Sequence, residues 1–269
     1  MVISSRDNPK IKLFKKLLQS RKSRDESGLF VAEGMRGCID IIKCGEKGLV
    51  SITAVLYTAE AIERYRGQLP VGLAENFDES RRYVITSEIA EKISETGSSQ
   101  GIFVVAHKLD KKLSEGCIKH DGKYLVLCGI QDPGNLGTML RTGDALGIDG
   151  VIMTGNSVDL YNPKAVRSAV GSMPKINLYV ENDFSRVIDI LKKVGIKTCA
   201  AVVRGGESVC GFDFSGGCAV VIGNEGRGLS DENAVLCDRK ITIEMKGSLD
   251  SLNAATAGTI LLWEMCRRS

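Results

Sequence analysis

Over the first hundred residues, short apolar runs alternate with stretches whose apolar positions recur every three or four residues. Asn8 and Pro9 make a good helix start, a side-chain cap followed by a first-turn proline whose missing N–H costs nothing there. Ile11, Phe14, Leu17 and Leu18 then recur at helical spacing, which predicts a helix from about Pro9 to Arg21. "GLFVAEG" reads as a short strand and "MRGCIDIIKCG" as a helix closed by Gly45. "SITAVLYT", "AEAIERYRG", "RRYVIT", "SEIAEKISE" and "GIFVVAHK" continue as strand, helix, strand, helix and strand. This alternation predicts a small α/β module over residues 1–107. The polar segment "KLDKKLSEGCIKHDGK" reads as a linker over residues 108–123.

From Tyr124 the pattern restarts more strongly and defines a second domain, residues 124–269. "YLVLCGI" is a continuous apolar strand, "GTMLRTGDALG" a helix, "GVIMTG" a strand and "NPKAVRSAVGSM" a helix capped by Asn162. "INLYV", "FSRVIDILKKVG", "KTCAAVV", "CAVVIG", "DENAVLC" and "KITIEM" carry the alternation on, and "SLNAATAGTILLWEMCRR" closes it as a helix. Strands apolar on both faces and separated by helices imply a mostly parallel sheet covered on both sides. Such sheets bind ligands at the carboxyl ends of their strands.

Composition narrows the class. No stretch of the 269 residues approaches the roughly 20 apolar residues of a membrane span, and the start, "MVISSRDNPKIKLFKK", is basic without the apolar core of a secretory signal. A cytoplasmic protein is expected. Nine Cys without a C-x-x-C pair, and only two His, argue against a zinc site or a disulfide framework, so no metal is expected. Cys128, Cys199 and Cys218 sit in apolar runs, where a reduced thiol behaves as a small hydrophobe.

The formal net charge of +3 decides little, but its distribution is uneven. Within the first 24 residues Arg6, Lys10, Lys12, Lys15, Lys16, Arg21, Lys22 and Arg24 face one acid, Asp7. A phosphate backbone would relieve the repulsion among them and release counterions. A solvated amphipathic helix explains the same charges, and the two readings are compatible.

Three loops could carry chemistry. In "GIQDPGNLGTMLRTGDALG", Gly134 and Gly137 permit close backbone approaches, Asn135 offers a donor and acceptors, and Arg141 lies in the helix that follows. Turn formation alone would also account for Asp132, Pro133 and Gly134. "VVIGNEGRGLS" places Gly223, Gly226 and Gly228 after a buried strand, with Glu225 and Arg227 at its carboxyl end. In "IEMKGSLDSLNAATAG", Ser251 and Asn253 stand where a strand gives way to a helix of small residues, and simple N-capping is the plainer explanation. Neither the G-x-G-x-x-G fingerprint nor a Walker loop is present, which counts against a dinucleotide-dependent oxidoreductase.

Together the three loops, "DPGNLGTMLRTGDALG", "VIGNEGRGLS" and "IEMKGSLDSLNAATAGTILLWE", resemble the signature motifs of the SpoU (TrmH) family of RNA ribose 2'-O-methyltransferases, of the SPOUT class. "NPKIKLFKKLLQSRKSRDESGLFVAEG" and "SSQGIFVVA" resemble the family's amino-terminal substrate-binding domain. The resemblance implies a ribosomal-protein-like α/β RNA-binding domain followed by a SPOUT-type α/β domain whose carboxyl-terminal segment forms a deep trefoil knot. Nothing in the periodicity shows a knot, and knots are rare. It further implies that S-adenosylmethionine binds against Ile222, Gly223, Asn224, Glu225, Gly226 and Gly228, against Ile243 and Met245, and against Ser251, Leu252 and Asn253, leaving S-adenosylhomocysteine as product.

By the same resemblance Asn135, Arg141, Glu225, Ser251 and Asn253 form the polar catalytic set. The basic residues Lys10, Lys12, Lys15, Lys16, Arg21, Lys22 and Arg24, with Arg141 and Arg167, are the expected RNA contacts. A homodimer through the second domain is implied. The substrate expected is ribosomal RNA, the large-subunit RNA favoured because tRNA-directed members often lack the amino-terminal domain; the alternatives are a tRNA-directed enzyme or a catalytically silent RNA binder. Family descriptions that make the residue at Arg141 a base are chemically awkward, because a guanidinium stays protonated in proteins. The third motif often carries proline where this chain has Glu244, between Ile243 and Met245.

Overall fold

Apolar runs that do not alternate become inner strands of a parallel sheet, because both of their faces must be covered. A computed structural model of the chain describes residues 2–68, 79–95 and 97–267 and divides them into two compact units. The first unit comprises residues 1–109 and 159–175, and the second residues 110–158 and 176–269. The first unit is therefore assembled from two separate stretches of chain, and the segment "NPKAVRSAVGSM" belongs to it rather than to the second.

In the first unit, β1 (Val2–Ile3), β2 (Leu29–Glu33), β3 (Ile52–Tyr57), β4 (Arg82–Ile85) and β5 (Ile102–His107) form one sheet in the order β1-β4-β3-β5-β2. β4 runs parallel to β1 and β3, whereas β5 is antiparallel to β3 and β2. The amphipathic helix Pro9–Gln19 lays Ile11, Phe14, Leu17 and Leu18 on this sheet, with the Phe14 and Phe103 rings edge to face at 5.2 Å. Residues 159–175 supply Tyr161, Ala165, Val166 and Ala169, all buried, and Tyr161 meets the ring of Phe30 on β2 at 5.0 Å.

The first helix ends earlier than its periodicity suggests. It stops at Gln19, Ser20 is extended, and a second helix, Arg21–Ser27, begins with the Ser20 hydroxyl accepting the Ser23 amide. Arg24 explains the break: its guanidinium turns back to donate to the carbonyls of Leu17 and Leu18, the last turn of the first helix, and pairs with Asp159 at 2.6 Å. Arg24 is 4% exposed. It was expected among the RNA contacts, but a buried cation committed to a carboxylate and two carbonyls is a structural element instead.

The second unit holds β6 (Lys111–Lys112), β7 (Lys123–Cys128), β8 (Gly150–Thr154), β9 (Asn177–Val180), β10 (Lys197–Ala201), β11 (Glu207–Ser208), β12 (Cys218–Ile222) and β13 (Arg239–Thr242). They form one sheet in the order β11-β13-β10-β12-β7-β8-β9-β6, and all of its pairings are parallel. The carboxyl ends of β7, β10, β12 and β13 consequently lie side by side, and the loops bearing the three motifs leave from that edge. Cys199 and Cys218 are buried on adjacent strands with their sulfurs 3.7 Å apart, and Cys128 is half-buried. The segment read as a linker is ordered: β6 pairs with β9, Leu113 is fully buried and Ile118 nearly so. Its few apolar residues are sparse enough to be outvoted by charge in a composition reading, yet Leu113 and Ile118 reach the core.

Removal of one member of a buried, hydrogen-bonded ion pair leaves an unanswered charge and typically costs about 3–5 kcal/mol. Arg24→Ala is expected to destabilise the first unit by about that amount, read as lost amide-exchange protection in β2. Arg24→Met combined with Asp159→Leu should recover much of the loss; equal protection in wild type and Arg24→Ala would refute the assignment.

Candidate active site

The first motif is more helical than its turn-forming residues suggest. Its helix runs Pro133–Leu146, with the Asp132 side chain accepting the Asn135 amide and Pro133 at the first helical position. Asn135 therefore sits in the first turn of the helix rather than in a loop ahead of it. The second motif is a tight turn: the Asn224 Oδ1 accepts the amides of Gly226 and Arg227, and Asn224 and Gly228 exchange backbone hydrogen bonds of 3.0 and 2.8 Å. Gly228 has a φ of 68°, and a Cβ on Gly223 would stand 2.2 Å from the Leu229 amide nitrogen, so the close approach of the turn's two limbs requires glycine there. In the third motif Asn253 caps the helix Ala254–Cys266 through Oδ1, and Ser251 and Leu252 precede it.

Hydrogen bonds join these three elements. The Glu225 carboxylate accepts from the Gln131 amide at 3.0 Å, the Asp132 amide at 3.0 Å and the Asn135 side-chain amide at 3.1 Å. The Asn253 side-chain amide donates to the Asn135 Oδ1 at 3.1 Å. Asn224 adds a fifth tie, its side-chain amide donating to the Gly129 carbonyl at 2.9 Å. Partial burial raises the pKa of Glu225, but the amides of Asp132, Gln131 and Asn135 outweigh it and hold the carboxyl below its ordinary value of 4.5. The group is thus a carboxylate at neutral pH with three donors already engaged.

Beside this network lies a cavity of about 260 Å³. Ile222, Gly223, Asn224, Glu225, Gly226, Gly228, Ile243, Met245, Ser251 and Leu252, all expected to hold the cofactor, line it; Asn253 does not. Its other walls come from Ala201 at the end of β10, Val202 and Val203 just beyond it, Ile241 of β13, Arg227, Asp250, and Ala254, Ala257 and Leu261 of the last helix. Residues 201–203 and Ile241 lie outside the motifs, and Ala257 and Leu261, though inside the third, were not singled out as cofactor contacts. The rule that parallel sheets bind ligands at strand carboxyl ends would have flagged residues 201–203, whereas Ala257 and Leu261 are recognisable only once the last helix is seen to pack there.

Of the expected catalytic set, Asn135, Glu225 and Asn253 are brought into one hydrogen-bonded chain, and Ser251 stands exposed on the cavity wall. Arg141 is exposed on the Pro133–Leu146 helix, outside the network, and has no side-chain partner among the described residues. The basic arm of the first unit is less open than its sequence suggests. Lys10 donates to the Tyr83 hydroxyl and lies over that ring, Lys12 pairs with Asp7 at 2.8 Å, and Arg21 and Lys22 pair with Asp25 and Glu26 four residues on. Lys15 and Lys16 are exposed and unpaired among the described residues. Arg167, expected to meet phosphate, faces Glu33 at 3.6 Å and Glu95 at 3.8 Å within the first unit, so its charge is largely answered already.

Comparison with known proteins agrees with this geometry. Residues 122–263 match the SpoU rRNA Methylase family, and residues 8–104 match the MRM3-like substrate binding domain. The chain belongs to the SpoU rRNA methylase family. It is 30% identical over 263 residues, 98% of each chain, to the 23S rRNA (guanosine(2553)-2'-O)-methyltransferase RlmP of Bacillus subtilis. Among solved structures it is similar to an AdoMet-bound rRNA methyltransferase from Sinorhizobium meliloti, with a TM-score of 0.83 and 27% identity over 100% of this chain and 98% of that one. It is similar also to the SpoU methyltransferase AviRb from Streptomyces viridochromogenes in complex with AdoMet, with a TM-score of 0.82 and 27% identity over 97% and 98% of the two chains.

A carboxyl whose folded pKa lies below its unfolded one adds stability above the unfolded value and loses it as pH falls through the folded value. Glu225→Gln is therefore expected to melt below wild type at neutral pH, with the gap narrowing once the pH drops under 4.5. Thermal unfolding across that range checks this, and a gap independent of pH would contradict it.

Proposed function

We propose that this protein is a cytoplasmic, S-adenosylmethionine-dependent methyltransferase that modifies a ribose 2'-hydroxyl of ribosomal RNA, in the large subunit. The observation that carries the reading is the Glu225–Asn135–Asn253 hydrogen-bonded chain set at the edge of an apolar cavity. The cavity suits the cofactor: Ile222, Ile243, Met245 and Leu252 supply flat apolar walls, and the glycine-rich turn 223–228 leaves backbone amides and carbonyls within reach of a polar-edged ring. When bound there, S-adenosylmethionine supplies a methyl group already activated by its sulfonium.

The protein's own task is then to hold the ribose oxygen in line and to manage a weakly acidic hydroxyl, and orientation can supply much of such a rate. Glu225 is a poor proton acceptor, since its lowered pKa and three donors stabilise the carboxylate; its part is to fix the Asn135 amide and the 131–132 turn. Asn253 holds the other end of Asn135. Arg141, permanently cationic and without a side-chain partner among the described residues, anchors the neighbouring phosphate and stabilises developing negative charge on the 2'-oxygen, while the proton passes to water. Lys15 and Lys16, with the exposed Lys10, Lys12, Arg21 and Lys22, supply the electrostatic footing for RNA.

The assembly we propose is a homodimer through the second unit. The helix Ala254–Cys266 is apolar nearly all round, as buried helices are, yet Trp263 is 55% exposed and Ile260 half-buried. A second copy would cover that face. Trp263→Glu is expected to convert a dimer to a monomer in sedimentation, and a wild-type monomer would rule out the assembly.

The activity is tested by ribose-methylation mapping of total RNA from cells with and without the gene, then after add-back of wild type, Arg141→Ala or Arg141→Lys. One 2'-O-methyl mark in large-subunit rRNA should vanish and return only with wild type. Near-normal restoration by Arg141→Lys would remove the case for the guanidinium fork, and no change at any ribose would favour a non-catalytic RNA binder.

A further inference from the structure

The polar network contains a residue that none of the three motifs explains. Gln131 follows β7 and precedes the first-motif helix, and its backbone amide is one of the three donors to Glu225. Its side chain is exposed to solvent, yet both hydrogens of its amide nitrogen are engaged: the Nε2 group donates to the Gly129 carbonyl at 3.2 Å and to the Asn156 carbonyl. One nitrogen bearing two hydrogens can satisfy two carbonyls at once, which a hydroxyl, a carboxylate or a shorter amide at this position cannot do. The two carbonyls belong to different turns, the one after β7 and the one after β8. Ser157 strengthens the same junction, its hydroxyl accepting the Gly129 amide at 3.0 Å and donating to the Thr154 carbonyl at 2.8 Å.

We propose that Gln131 is a positioning residue: by clamping the turn after β7 to the turn after β8, its side chain sets the direction of the Gln131 and Asp132 amides and so holds the Glu225 carboxylate in place. The inference depends on geometry alone for the clamp, and on the transferase reading only for its effect on turnover. Glu225 in turn aligns Asn135, and Asn135 meets Asn253. Backbone bonds from Gly129 to the Thr154 carbonyl and from Val158 to the Ile130 carbonyl tie the same two turns, so loss of the Gln131 side chain would re-aim the 131–132 amides rather than unfold the turn, and the misalignment would pass along the chain of hydrogen bonds from its start. Misplacement on the scale of an ångström can lower turnover by up to about a hundredfold.

The test measures the Glu225 carboxyl directly, by NMR titration of the full-length protein labelled at glutamate side chains, alongside methyl transfer to rRNA. Assignment of the Glu225 resonance comes from Glu225→Gln. In Gln131→Ala and Gln131→Asn the Glu225 pKa is expected to rise toward 4.5, and kcat to fall on the order of tenfold or more while S-adenosylhomocysteine binds as before. Asn156→Ala should be silent in every measurement, because Asn156 offers only its backbone carbonyl to the clamp. Gln131→Glu should be more impaired than Gln131→Ala at neutral pH and less so in acid, where a protonated carboxyl regains one donor. An unchanged Glu225 titration in Gln131→Ala overturns the proposal. If the titration shifts but the wild-type protein transfers no methyl group, the clamp stands and the transferase reading fails instead.

Discussion

The Glu225 carboxylate takes hydrogen bonds from the Gln131 and Asp132 amides and from the side chain of Asn135, and each of those donors sits on chain remote in sequence from position 225. Parallel sheets bring strand ends together but say nothing about the loops that leave them, which must find their own partners for exposed peptide groups. A carboxylate is well suited to this task, since it is acceptor-only and can serve several N–H groups. Once it has done so, the residues around it are ordered relative to the cavity, and the glycines of the second motif let the backbone fold back tightly enough to present that carboxylate. Stabilisation and proposed chemistry are here the same set of bonds.

Much of the fold was legible because strands buried on both faces write an unbroken apolar run, as in Tyr124–Leu127 and Cys218–Ile222. Helix starts were readable where a capping residue precedes proline, at Asn8 and at Asn162. What periodicity could not show were side chains acting over distance. Ile11, Phe14 and Leu17 announce a helix, but the break at Ser20 depends on Arg24 reaching back to the carbonyls it would otherwise follow. Leu113 and Ile118 are isolated among charges, and only the neighbouring strands reveal that they are core residues.

The same limit governs the charges. A window of 24 residues contains a single acid, but Asp25 and Glu26 lie just past its end, and Glu88, which takes Arg6, lies far beyond it. Exposed pairs of this kind contribute little to stability and are screened by salt. They can exchange a carboxylate for a phosphate at modest cost, unlike Arg24, whose surroundings exclude water. For the site, the motif residues were legible as a group because they recur together in a family; Val203 lies outside every motif, and the part that Ala257 and Leu261 play as cavity walls emerged only from the packing of the last helix.

The assembly of the first unit from residues 1–109 and 159–175 bears on the order in which the chain can fold. The polypeptide passes from one unit to the other three times, so the first unit is not complete until the chain has run through residue 158 and returned. Tyr161, Ala165 and Val166, which are buried, arrive only after β7 and β8 of the other unit have been made. A fragment ending at residue 109 would therefore bare apolar surface that these side chains cover.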